Sequence, residues 1–139
     1  VFQQYNLIPV LTARENVEFI MLLQKKPVHE MRERALHLLE EVELKHKANV
    51  RPSELSGGQQ QRVAVIRALA SQPKFILADE PTANLDSASA ANLLDMMARM
   101  NQEEGMTFIF STHDQRVIDK ARRVVTLEDG MIKSDEVRN

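Results

Sequence analysis

Apolar positions are spaced unevenly along the chain, and their spacing changes twice. Polar residues around Pro9 read as a loop, and Thr12-Ala13-Arg14-Glu15 then offers a capping box, in which the Thr12 hydroxyl and the Glu15 carboxylate each satisfy a backbone donor. The pattern predicts a helix from there to about Lys26, interrupted by Pro27. Beyond it Val28, Met31, Ala35, Leu38, Leu39 and Val42 recur at helical spacing and predict a second, amphipathic helix. Its charged residues Arg32, Glu33, Glu40 and Glu41 are expected to face solvent. A polar connection, 45–52, follows. The pair Gly57-Gly58 then opens a third helix, with Val63, Ile66, Leu69 and Ala70 on its apolar stripe.

The period then changes. Phe75-Ile76-Leu77-Ala78 is a continuous apolar run, too short for a helix and stopped by Pro81, which fits a parallel strand buried on both faces. A helix is predicted from Ser87 to about Glu103, ended by Gly105, and Thr107-Phe108-Ile109-Phe110-Ser111 reads as a second buried strand. Strand, helix and strand in that length are a right-handed βαβ crossover, so the two strands are expected to pair in parallel. A short helix around 115–121 leads to Val124-Val125-Thr126-Leu127, and Asp129-Gly130 marks a tight hairpin turn into Met131-Ile132. Residues 134–139 read as a polar tail.

Composition narrows the chemistry. With 43% hydrophobic and 27% charged residues in 139, the chain has the balance of one folded domain rather than of a disordered segment. It has no cysteine, which removes disulfides, thiolate nucleophiles and Cys-ligated metal centres and points to the cytosol. The longest apolar run, Phe19 to Leu23, is far short of the roughly 20 residues a membrane-spanning helix needs. A net charge of −2 and 4% aromatic residues without Trp argue against nucleic acid as a partner. The opening Val1-Phe2-Gln3-Gln4 has neither an initiator Met nor a signal-peptide pattern, and reads as the middle of a domain.

Candidate chemistry gathers at two strand ends, because ligands of a parallel sheet sit outside the carboxyl ends of its strands. Asp79 and Glu80 end the first strand, and Thr112, His113 and Asp114 end the second. The crossover should bring two carboxylates and an imidazole together from positions far apart in sequence. Read singly, Asp79-Glu80-Pro81 is also an ordinary acidic turn, and His113 a polar residue preceding a helix. Ser56-Gly57-Gly58-Gln59 is the second feature: two glycines allow close approach of a phosphate to a helix N-terminus with unpaired N–H groups, although a Gly pair is also a common turn. His29, His37 and His46 are expected on the surface, and Met96, Met97 and Met100 in the core.

Taken in order, five motifs resemble the ATP-binding-cassette ATPases. They are Phe2-Gln3; Leu55-Ser56-Gly57-Gly58-Gln59 with Gln61-Arg62-Val63; Phe75 to Thr82; Asn84-Leu85-Asp86; and Ser111-Thr112-His113-Asp114. The likeness runs from Val1 to about Ile132 and is greatest to the group serving lipoprotein-release and macrolide-export transporters. It implies an α/β fold: a P-loop NTPase-like parallel sheet core flanked by helices, with an inserted helical subdomain. The chain would be a single partial cassette domain, the helical subdomain at about 10–70 and the core at about 71–139.

By the same resemblance, Gln3 is the Q-loop glutamine, reaching magnesium and the attacking water. Ser56, Gly57, Gly58 and Gln59 form the signature that clasps the γ-phosphate of ATP held by the opposite subunit. Asp79 holds Mg2+ through water, Glu80 orients and deprotonates the hydrolytic water, Asp86 is the D-loop carboxylate at the dimer interface, and His113 touches the γ-phosphate. The implied function is the ATP-binding and hydrolysing subunit of an ABC transporter, cytoplasmic and peripheral on the inner face of the cell membrane. It would dimerise, as a homodimer, and act on membrane permease subunits; from their position beside Gln3, the loop 5–12 and the helix after it are the expected contact, with Ile8 and Leu11 exposed.

Two substitutions depart from the family pattern, Ala83 for a usual Gly and Ile66 for a small residue. A larger departure is that G-x-x-x-x-G-K-[ST] occurs nowhere, the glycines being Gly57, Gly58, Gly105 and Gly130. The sequence is therefore expected to be the carboxyl-terminal part of a cassette, inactive alone. Two other readings remain: a truncated binding chain without turnover, and an unrelated magnesium-dependent hydrolase using Asp79, Glu80, Asp86, Asp114 and His113.

Overall fold

A computed structural model describes residues 6–138. The chain begins with three helices: α1 (Ala13–Leu23), α2 (Val28–Glu41) and α3 (Gly57–Ala70). The capping box forms as expected, Thr12 Oγ1 accepting from the Glu15 N–H at 3.2 Å and Glu15 Oε1 from the Thr12 N–H at 2.9 Å. That pairing holds the Glu15 carboxyl below its ordinary value. The first helix stops at Leu23, short of Lys26, because Lys25 turns into the left-handed region at φ 59°. Two single turns of 3-10 helix, Lys45–Lys47 and Pro52–Glu54, fill the connection before α3.

The remainder is β1 (Phe75–Asp79), α4 (Ser87–Glu104), β2 (Thr107–Ser111), α5 (Gln115–Lys120), β3 (Arg123–Glu128) and β4 (Met131–Val137). β1 and β2 pair in parallel, Phe75 opposite Thr107 and Asp79 opposite Ser111, as the crossover requires. β3 and β4 form an antiparallel hairpin whose turn places Asp129 and Gly130 at φ 52° and 76°. β4 runs to Val137, so most of the polar tail is strand. Polarity misled there because the strand is exposed along most of its length, with no alternation to read.

One buried cluster joins the helices to the strands. Val17, Leu38, Leu39, Val63, Ile66 and Leu69 pack with Leu93, Met96, Met97 and Met100, and Ile76, Phe108 and Phe110 cover it from the sheet side. Val28, expected on the buried stripe of α2, is exposed at the first residue of its helix. The strands also differ from expectation: Phe75, Leu77 and Ile109 are 60%, 70% and 53% exposed, so β1 and β2 are covered on one face rather than two. α4 and the cluster cover one side, and among the described residues nothing covers the other.

The C-terminal end of α2 is joined to α3 and α4 through its free carbonyls. The Glu41 carbonyl accepts from Asn92 Nδ2 at 3.0 Å, the Val42 carbonyl accepts from Arg62 Nη1 at 2.8 Å, and Arg99 pairs with the Glu41 carboxylate. Cations and amide donors at that end satisfy orphan carbonyls and oppose the helix dipole. Arg34 makes a further link, bidentate to Glu104 at 2.9 and 3.0 Å and donating to the Leu69 carbonyl at 3.1 Å. Glu104 is held below its ordinary pKa chiefly by that hydrogen bond.

Asn16 is fully buried and organises the segment before α1. Its Oδ1 accepts from the Ile8 N–H at 2.7 Å, and its Nδ2 donates to the carbonyls of Ile8, Leu11 and Thr12 at 3.2, 3.2 and 3.0 Å. Ile8 and Leu11 are consequently half-buried, and Val10 at the turn is the exposed apolar residue, at 73%. Replacing Asn16 with Ala leaves the Ile8 N–H and the Leu11 carbonyl without a partner, while the Ile8 and Thr12 carbonyls keep the Leu11 and Asn16 N–H groups. We expect Asn16→Ala to cost about 2–3 kcal/mol in urea unfolding of the intact protein, and to speed amide exchange at Ile8 before exchange in α2 changes.

Candidate functional site

Parallel pairing brings the two strand ends side by side, and the chain turns sharply after each. Glu80 directly follows β1, and its N–H donates to the Ser111 carbonyl at 2.8 Å, which extends the ladder by one rung. Its φ is 48°, in the left-handed region. That conformation costs a non-glycine residue about 1 kcal/mol or more, and Pro81 next in sequence further disfavours compact backbone at residue 80. The turn directs the Glu80 side chain at the residues after β2.

Both carboxylate oxygens of Glu80 are engaged. Oε1 accepts from the His113 backbone N–H at 3.2 Å and lies 2.8 Å from His113 Nδ1; Oε2 accepts from the Thr112 hydroxyl at 2.9 Å. A carboxylate offers acceptors only, so His113 Nδ1 carries a proton and donates it in this pair. The His113 side chain is 95% exposed, leaving Nε2 open to an incoming group. Thr112 Oγ1 also accepts from the Asp114 N–H at 2.9 Å, which orients the hydroxyl.

Asp114 supports this corner from behind. It caps α5, accepts from Arg116, and takes the hydroxyl of buried Thr82 at 2.6 Å, so the turns after β1 and β2 are tied together. The Arg116 guanidinium first, then Thr82, hold the Asp114 carboxyl well below the usual carboxylate range. Asp79 stands apart: it is exposed, and its carboxylate has no hydrogen bond or ion pair among the described residues.

Ser56 and Gln59 make a reciprocal capping box at the start of α3. Ser56 Oγ accepts from the Gln59 N–H at 3.2 Å and Gln59 Oε1 accepts from the Ser56 N–H at 2.9 Å. Gly57 and Gly58 are the first helical residues, and their N–H groups have no acceptor among the described residues. The two glycines differ. A Cβ on Gly58 would lie 3.0 Å from the Asn84 carbonyl oxygen and 3.3 Å from Leu85, whereas one on Gly57 would meet nothing within 4 Å. Gly58 is thus required by packing on the 84–85 turn, and Gly57 by nothing among the described residues. Asp86 ends that turn by capping α4, accepting from the Ser89 N–H at 2.7 Å, a bond that lowers its pKa.

Of the residues singled out by sequence, Glu80 and His113 meet directly, Asp79 adjoins them on the strand, and Ser56 to Gln59 approach through the contact of Gly58 with Asn84. Asp86 bonds into its own helix, and Gln3 lies outside the described residues. A metal site built on Asp79, Glu80, Asp86, Asp114 and His113 does not assemble: among the described residues no three His, Asp or Glu groups converge on one point. Glu80 and Asp114 are drawn off by His113, Thr112 and Arg116. Magnesium is commonly held by one or two carboxylates with phosphate oxygens and water, and an exposed carboxylate without a partner, as at Asp79, suits that arrangement.

Sequence reading quoted Gln61 and Thr82 within motifs but gave neither a role. Gln61 is buried, and its Nε2 donates to the Glu80 carbonyl at 3.2 Å and to the Pro81 carbonyl. In the sequence it is the last of three glutamines, and the apolar stripe of Val63 and Ile66 is in phase with Gln59 rather than with Gln61, so the pattern gives no sign of its burial.

A family model described as ABC transporter matches residues 1–83. The ABC transporter ATP-binding protein MJ0796 of Methanocaldococcus jannaschii is 46% identical over 98% of this chain and 60% of its own length. The lipoprotein-releasing system ATP-binding protein LolD of Legionella pneumophila is 42% identical over 98% of the chain and 60% of its length. The macrolide export ATP-binding/permease protein MacB of Campylobacter jejuni is 44% identical over 97% of the chain and 21% of its length. A solved dimeric structure of the MJ0796 cassette in a post-hydrolysis state, bound to ADP and Pi, superposes over all of this chain and 62% of its own with a TM-score of 0.89 at 44% identity. The chain belongs to the ABC transporter family, and it spans about 60% of the length of its MJ0796 and LolD relatives.

Two outcomes follow for stability. In thermal unfolding, Gly57→Ala should leave the midpoint unchanged or slightly raised, since Ala is the better helix former, whereas Gly58→Ala should cost about 1–3 kcal/mol through overpacking against Asn84. For Asp114, a carboxyl whose pKa is depressed on folding contributes stability above its unfolded value and loses it as pH falls through the folded one. The stability gap between the native protein and Asp114→Asn should be full at neutral pH and close in acid titration of the unfolding midpoint.

Proposed function

We propose that the intact protein is the ATP-binding and hydrolysing subunit of an ABC transporter, powering transport through partner membrane subunits by ATP-driven dimerisation. One observation carries the reading: Glu80, at a strained turn after β1, presents its carboxylate to His113 and Thr112 at the end of β2. Phosphoryl transfer depends on positioning and charge stabilisation, and a carboxylate held at both oxygens beside an exposed imidazole is a means of placing one water. In this reading Glu80 orients that water and takes its proton, while His113 turns its exposed ring toward the γ-phosphate. Asp79 is the magnesium carboxylate and Gln3 the second polar group toward the metal. The metal, when bound, supplies charge neutralisation at the phosphates.

Ser56, Gly57, Gly58 and Gln59 present a helix N-terminus at which the Gly57 and Gly58 N–H groups have no acceptor among the described residues, suited to the γ-phosphate of ATP held by a second subunit. Asp86 accompanies them at the interface. The dimeric MJ0796 cassette supports pairing of two such subunits. The lysine-bearing phosphate loop is absent from these 139 residues, so they are expected to show no ATP turnover alone. Residues of about 10–70 form the helical subdomain and 71–139 the core.

Among the described residues no helix is long and apolar enough to cross a membrane. The protein is proposed to sit on the cytoplasmic face and to meet membrane permease subunits, a placement in keeping with a relative named as the ATP-binding protein of a lipoprotein-releasing system. The turn at Pro9 and Val10, with α1, is the proposed contact. Crosslinks from the permease that fall instead on the hairpin at Gly130 would exclude it.

The test is Glu80→Gln in the full-length protein. ATP binding should persist and steady-state turnover fall by about a hundredfold or more; turnover near the native rate would refute the assignment. His113→Ala should lose turnover similarly with an unchanged unfolding midpoint, since its side chain is solvent-exposed.

A further inference from the structure

The Glu80 turn has an unfavourable backbone; besides its own hydrogen bond, in which the Ala83 N–H donates to the Glu80 carbonyl at 3.2 Å, it is restrained from two other elements. On one side the Glu80 N–H is bound by the Ser111 carbonyl of β2. On the other, the carbonyls of Glu80 and Pro81 both accept from the amide of Gln61, which projects from α3 and is 4% exposed. Burying an amide there is unfavourable unless its hydrogen bonds are made, and Gln61 directs them at the two successive carbonyls of the turn. Pro81 has no N–H to contribute, so carbonyl acceptors are the handle by which a neighbouring element can grip it. If residue 80 left the left-handed region, its carbonyl would rotate away from Gln61 and its carboxylate away from His113.

The same helix grips the segment a second time, one turn nearer its start. Gly58 lies so close to the Asn84 carbonyl that a methyl group would be in contact at 3.0 Å. α3 therefore opens at the signature glycines, rests on the 84–85 turn, and reaches the catalytic corner through Gln61.

We propose that Gln61 is a positioning residue, which holds the left-handed turn that aims the Glu80 carboxylate and couples that aim to the placement of the α3 N-terminus. The proposal rests on the reading of Glu80 as the water-orienting base. A shift of α3 when its N-terminus engages a phosphate is transmitted through the Gln61 amide to the backbone of Glu80, so each subunit's own base reports on the signature end of its own helix.

The experiment uses the full-length protein and compares Gln61→Met, which keeps volume and loses the donors, with Gln61→Asn, which keeps an amide one methylene too short. Glu80→Gln serves as control. For both Gln61 variants kcat should fall by about tenfold to a hundredfold, while KM for ATP and ATP-driven dimerisation stay within about twofold of native. A merely structural Gln61 would lower the unfolding midpoint and the folded fraction and leave kcat per folded molecule unchanged, and that result overturns the proposal. Native kcat in both variants, beside a dead Glu80→Gln, overturns it while leaving the reading of Glu80 intact; an active Glu80→Gln overturns both. Should Gln61→Met fail to fold, Gln61→Asn decides.

Discussion

Parallel pairing of β1 with β2 is the constraint on which the site depends. With Asp79 opposite Ser111, residue 80 and residues 112–114 leave the sheet together, although 31 residues lie between the two strand ends. Antiparallel pairing would place the same groups at opposite ends. The ladder is lengthened by the Glu80 N–H, and that extra rung commits the backbone to a left-handed turn. Glu80, Thr112, His113 and Asp114 then have little choice of partner. Their hydrogen bonds form a continuous chain from the Thr82 hydroxyl through Asp114 and Thr112 to the Glu80 carboxylate.

Helices supply what two short strands cannot. A two-stranded pair is marginal by itself, and here one face of it is closed by α4 and by the cluster in which Leu93, Met96 and Phe108 meet the helical residues. The links at the end of α2 are polar: Asn92 and Arg62 take the last free carbonyls, and Arg34 binds Glu104 at the end of α4. The helical unit is thereby fixed to the core by groups that either end would otherwise have to leave to water.

Elements governed by local chemistry were readable in the sequence. The capping box at Thr12 uses residues three apart, the Asp129-Gly130 turn is a local φ requirement, and the strand ends at Asp79 and Ser111 follow from a short apolar run and the length of a crossover. What was not readable depends on neighbours distant in sequence. Asn16 gives no sign, in a helical window, that it will organise the loop before it; Gln61 looks like the last of three polar residues; Thr82 finds Asp114 only after the sheet forms. Burial of both strand faces was expected from continuous hydrophobicity, yet Phe75, Leu77 and Ile109 are open. Hydrophobicity records that a face is suited to burial, not which part of a polypeptide provides the cover.

That open face has a practical side. Among the described residues β1 and β2 each present one unpaired edge, and Phe75, Leu77 and Ile109 carry no charge at those strand positions to deter another strand. Expressed as this segment alone, the polypeptide would meet copies of itself along that ribbon. Its colloidal behaviour would then be governed by concentration more than by temperature, with association setting in while the helices are still intact.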